Sequence, residues 1–201
     1  MRSDRLERPS NRTAAQQAVV GHITGFFAGR TIEVFEVDDG PIQTRVPGFA
    51  EICVAPASSA QVWVYVSCGV WDAVHIEEHG LEFCLLAPER DHRHVLILAM
   101  NAYYHANPDE SFRLDVGHTV PLGQPWLPGS SLDHLLVSQP YPYGPDFEMC
   151  HWERGHARIL WLLPITESER DFRTQHGLEA LEQRFDAAGL HYWDPQRAPV
   201  V

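Results

Sequence analysis

Histidine, glutamate and cysteine are the residues here that could do chemistry, so their spacing comes first. His75-Ile76-Glu77-Glu78-His79 reads H-x-x-E-H, the inverted zinc-peptidase pattern. That chemistry needs both histidines on one helix face, a turn apart, with a Glu beside the metal as general base. The sequence leaves little room for such a helix. A strand-like run, Val62–Ser67, precedes the segment, and another, Leu81–Leu86, follows directly after Gly80. A solvated connection between two strands is the expectation. A metal-dependent hydrolase using His75, Glu78 and His79 stands as the alternative. The remaining histidines, among them His92, His94, His118, His134, His151 and His156, show no metal-site spacing. Ser130-Ser131-Leu132-Asp133-His134 holds all three triad residue types, but no G-x-S-x-G turn precedes a helix there. Cys53, Cys68, Cys84 and Cys150 form no C-x-x-C pair, and three lie in apolar runs, so buried free thiols are expected. No catalytic residue, metal or cofactor is assigned.

Composition narrows the classes further. The 201 residues carry 15 basic and 27 acidic side chains, a net charge of −12. Every basic residue is Arg; the chain has no Lys. A Schiff-base lysine and the G-x-x-x-x-G-K-[ST] phosphate loop are therefore impossible. A charge of −12 opposes nucleic-acid binding, which draws its affinity from neutralised phosphates. It favours basic partners through long-range steering. The first residues are polar and no apolar run reaches the ~18 residues of a membrane span, so a cytoplasmic protein is expected.

The elements that must position these residues follow from periodicity and punctuation. Residues 1–12 have the character of a frayed tail, and 13–201 that of a single domain. Thr13-x-x-Gln16 is a capping box opening a helix over 14–28, with Val19, Ile23, Phe26 and Phe27 on one face. Strands are expected at Thr31–Val37, Phe49–Pro56, Val62–Ser67, Leu81–Leu86, Leu132–Ser138 and Ala157–Leu163. Val62–Ser67 is apolar on both faces, which predicts a central strand covered on both sides. Asp91 caps a largely buried helix over 92–105. Thr166-x-x-Glu169 starts a last helical region, broken at Gly177 and ended by Gly189. A loop rich in Pro and Gly fills 116–129. The fold class is α+β, a mixed β-sheet flanked by helices.

Five segments, in order, resemble the suppressor-of-fused domain family. They are the aromatic strand and turn Trp63 to Asp72, the strand Gly80-Leu81-Glu82-Phe83-Cys84-Leu85, and Gly117-His118-Thr119-Val120. Ser131 to Val137 comes next, and then Leu160 to Glu169, which contains Pro164-Ile165-Thr166-x-x-Glu169. The resemblance spans about residues 30–201. It implies a suppressor-of-fused-like fold and a binding protein rather than an enzyme. Animal members sequester transcription factors of the Hedgehog pathway, and single-domain bacterial members often look like immunity proteins of polymorphic toxin systems. A Lys-free, Arg-only composition is typical of a GC-rich bacterial genome. The expected function is thus a bacterial immunity protein whose protein partner is a basic toxin domain. A regulator sequestering a transcription factor is a further alternative.

The resemblance places the partner peptide near the loop after the aromatic strand. Trp71 is then the expected apolar anchor, with Asp72, Glu77 and Glu78 as an acidic rim. Trp71 has a second possible fate, packing into its own protein. Tyr141 and Tyr143, in the stiff Pro140–Pro145 segment, are the other expected contact residues.

Overall fold

The computed structural model describes residues 12–58, 61–76 and 79–201. Helix α1 (Ala14–Phe26) is followed by β1 (Ile32–Glu36), β2 (Ala50–Val54) and β3 (Trp63–Cys68). One helical turn, α2 (Val70–Ala73), leads to β4 (His75–Ile76), β5 (His79–Ala87) and α3 (His92–His105). Then come β6 (Thr119–Pro121), β7 (Leu132–Ser138), α4 (Pro145–Glu148), β8 (Met149–Trp152), β9 (Gly155–Thr166), α5 (Glu167–His176) and α6 (Leu178–Ala188). The strands form one mixed sheet in the order β1-β2-β3-β5-β9-β7-β6, with β4 hairpinned onto β5 and β8 onto β9. Among the described strands only β5 and β9 run parallel, with Phe83 opposite Leu160. The expected α+β class and mixed sheet are what the structure has.

Side-chain alternation builds two cores. On β3, Val64, Val66 and Cys68 enter one cluster and Tyr65 the other; on β5, Cys84 and Leu86 oppose Phe83 and Leu85. The first cluster is closed by Val19 and Ile23 of α1 and by Leu181 and Phe185 of α6. The second is closed by Ile97, Leu98 and Ala102 of α3, with Leu114 and Trp126 from the long loop. The sheet is therefore covered on both faces, as the doubly apolar β3 predicts. The two capping boxes form as expected, at Thr13 with Gln16 and at Thr166 with Glu169. All four cysteines are free and buried. No helix among the described residues is long and apolar enough to cross a membrane.

The tail of the chain is fastened by a buried ion pair. Arg197 donates to both oxygens of Glu169, at 2.6 and 2.8 Å, and to the carbonyl of Pro164 at 3.1 Å. Glu169 also accepts from the backbone N–H groups of Thr166 and Val200. The N3 acid of the α5 capping box thus serves as the anchor of the C-terminal segment as well.

Candidate partner-binding site

The turn after β3 is built around one buried carboxylate. Gly69 has φ +114°, a conformation that favours glycine, and turns the chain off β3 into α2. Glu82 on β5 lies beneath it, 1% exposed. It accepts from Ser67 Oγ at 2.5 Å, from the Gly69 N–H at 2.9 Å and from the Trp71 N–H at 3.2 Å. Burial drives its pKa up to about 7, and these three hydrogen bonds pull the other way. A strand acid therefore satisfies the start of α2, which has no side-chain cap of its own.

That anchoring sets Trp71. Its indole N–H donates to the carbonyl of His156 at 3.0 Å, its ring stacks on His75 at 4.1 Å and 2°, and Trp152 meets it edge-on at 5.0 Å. The ring passes so close to β5 that a Cβ at Gly80 would lie 2.4 Å from its Cδ1. Of the two fates open to Trp71, the geometry realises packing onto its own sheet, half-buried. Asp72 is also half-buried and accepts from the Thr13 hydroxyl at 2.8 Å, tying α2 to the cap of α1. Burial raises its pKa, opposed by that bond and by His75. Glu77 and Glu78 lie outside the described residues.

The two histidines of the H-x-x-E-H segment lie on strands. His75 pairs with Gly80 and Ile76 with His79 in the β4–β5 hairpin, the inter-strand connection expected from its neighbours. The His75 ring lies on Trp71, whereas His79 Nδ1 is 3.2 Å from Nδ1 of His156. The two histidines thus diverge, and no group of three or more metal-capable side chains assembles among the described residues. The two histidines therefore do not share a helix face, which the zinc-peptidase pattern requires; its Glu78 lies outside the described residues.

Tyr141 and Tyr143 have different surroundings. Tyr141 is 57% exposed, and its hydroxyl donates to Glu182 of α6 at 3.0 Å. Partial burial and that carboxylate raise its pKa to about 12. Tyr143 packs among Phe26, Phe27 and Phe147, at centroid distances of 5.8, 5.2 and 5.0 Å. Beside Tyr141 a groove of about 500 Å³ runs past Trp161, Phe185 and Tyr192. Of the four expected contact residues that are described, Asp72 and Tyr143 lie at opposite ends of α1. Asp72 touches the N-cap of α1 and Tyr143 its C-terminal end, about 20 Å apart at 1.5 Å per residue.

Two buried strand acids went unmarked in the sequence, Glu82 of β5 and Glu51 of β2. Each sits inside an apolar strand whose two faces are both covered, which is the signal that could have found them.

The sequence profile of the family Suppressor of fused protein (SUFU) matches residues 50–198. Among solved structures, a Neisseria gonorrhoeae FA 1090 protein described as a suppressor of fused homologue superposes with a TM-score of 0.81. Its identity is 36%, over 93% of this chain and 97% of that one. The Sufu–Fu complex gives a TM-score of 0.61 at 14% identity, covering 85% and 83%. Drosophila Suppressor of Fused gives 0.60 at 12%, covering 92% of this chain and 51% of its own length. At such identities the last two establish a shared fold. No curated protein matches the chain.

Proposed function

This chain belongs to the suppressor of fused family, and on that premise we propose that it is a non-catalytic protein-binding domain, an immunity protein that neutralises a basic toxin. The family match over residues 50–198 carries the reading. The Sufu–Fu complex is by its own description a family member bound to another protein, which supports a protein ligand here too. The net charge of −12 supports a basic one, because opposite net charges accelerate encounter and suppress acidic competitors. Among the expected contact residues, Tyr141 presents the most described surface, whereas Trp71 and Tyr143 are engaged in the fold.

The test is growth rescue. Cells producing the toxin domain encoded beside this gene should survive when this protein is co-produced, and the two should co-purify. Continued killing by that toxin, with this protein present and folded, would contradict the immunity reading.

A further inference from the structure

On the α3 face, at the β1 edge of the sheet, lies a pocket of about 590 Å³ that the function above does not use. Its inner wall is Glu51, set between β1 and β3 by the pairs Phe35–Glu51 and Glu51–Ser67. Glu51 is 2% exposed, yet it lines the cavity, and among the described residues no hydrogen bond reaches its carboxylate. Leaving a buried carboxylate without a partner is costly. Among the described residues the cation that acts on it is Arg90, which is engaged elsewhere: it pairs with Glu33 at 2.8 Å and lies over the rings of Phe35 and Trp63 at 5.7 and 5.6 Å. The mouth of the pocket is acidic, formed by exposed Glu36, Asp38 and Asp39. Its sides are apolar or aromatic, formed by Phe35, Val37 and Val95 with the Tyr65 ring.

We propose that this pocket binds a single guanidinium group, presented by an arginine side chain of the protein partner. The proposal takes only the source of the arginine from the protein-binding reading; the pocket's chemistry stands by itself. A metal ion does not suit the site, since no three metal-capable groups converge among the described residues. A long cationic side chain does. Its stem would follow the apolar walls while its head meets Glu51 deep inside and the rim carboxylates neutralise the approach. Guanidinium fits better than ammonium, because its flat face can stack on the aromatic walls and its paired N–H groups match a carboxylate; Arg90 already lies over the Phe35 ring at 5.7 Å.

Proton linkage should report the contact. Burial raises the Glu51 pKa to about 7, with Arg90 opposing. The groups facing it are Arg90, Asp91 and His92 at the start of α3, Cys53 on β2, Tyr65 on β3, and Glu33 and Glu36 on β1. A bound guanidinium favours the ionised carboxylate, so it should lower this pKa, and its affinity should rise from pH 6 to 8.

The experiment is an NMR titration of the full chain with acetyl-arginine-amide, set against its neutral isostere acetyl-citrulline-amide. Arginine should shift the resonances of Glu51, Cys53 and Val95 and bind at least tenfold more tightly than citrulline. Glu51→Gln should bring arginine binding down to the citrulline level and remove its pH dependence. Equal binding of the two probes by the wild type, or undiminished arginine binding by a folded E51Q, would overturn the site. The wild-type comparison needs no variant to fold. Failure of arginine binding in a protein that still neutralises its toxin would refute this pocket alone. Arginine binding at Glu51 without any toxin capture would uphold the pocket and refute the immunity reading.

Discussion

Replacing Gly80 with Ala should act through a residue nine positions away. The backbone of Gly80 needs no left-handed conformation, so the effect is steric. The new Cβ would lie 2.4 Å from Trp71 Cδ1 and 3.0 Å from Cγ and Nε1, inside any tolerable contact and against a rigid ring. The indole must leave. It then loses its hydrogen bond to His156, worth about 0.5–1.5 kcal/mol. It also loses the His75 stack and the Trp152 edge contact, each roughly 0.5–1.5 kcal/mol. The sum is about 1.5–4.5 kcal/mol, or roughly 3–18 °C in Tm for a chain of this length. Urea unfolding of Gly80→Ala, Trp71→Ala and the double variant checks this as a cycle. In the Trp71→Ala background, Gly80→Ala should add less than about 0.5 kcal/mol, because the ring nearest the new Cβ is gone. A Gly80→Ala protein as stable as wild type, or one whose cost persists without Trp71, would refute the packing of Trp71 onto its own sheet.

Leu98 is fully buried between α3 and the sheet. Leu98→Asp should cost several kcal/mol, and an unchanged Tm would contradict the buried helix. Arg197→Met leaves Glu169 buried without its cation, so urea unfolding should show a loss of about 3–5 kcal/mol. The pH dependence of stability has a defined sign. Glu82 titrates near 4.3 when unfolded and near 7 when folded, so its contribution is complete below the lower value and disappears as pH rises through the upper one. Glu82→Gln should flatten the fall in wild-type stability between pH 4.5 and 7, by on the order of 3 kcal/mol, in denaturant melts across that range.

Much of the architecture was legible because each element declares itself locally. The capping boxes at Thr13 and Thr166, the Asp91 cap and the apolar strands all sit where periodicity and capping chemistry place them. β7 and α3 match residue for residue. The short strands β6 and β8 were not legible, since three or four residues carry no period of their own and depend on pairing with β7 and β9. The candidate site was less readable. Trp71 beside three acids has the composition of an interface anchor, but Gly80, nine residues on, is what lets the ring pack inward. That closeness exists only once β5 is hairpinned behind α2. Tyr141 and Tyr143 are two residues apart and chemically identical, yet only one joins the aromatic cluster of α1 and α4. Glu51 and Glu82 could have been found, because an acid within a strand covered on both faces must be either satisfied or used.

The most direct test of the central claim is inhibition of the toxin against molar ratio. With a toxin domain that it is proposed to neutralise held constant, residual toxin activity should fall in proportion to added protein and vanish near equimolar mixing. The released toxin should recover full activity after separation in denaturant. Inactivation by a small fraction of an equivalent, or a chemically altered toxin, would show that the protein is an enzyme and contradict the account.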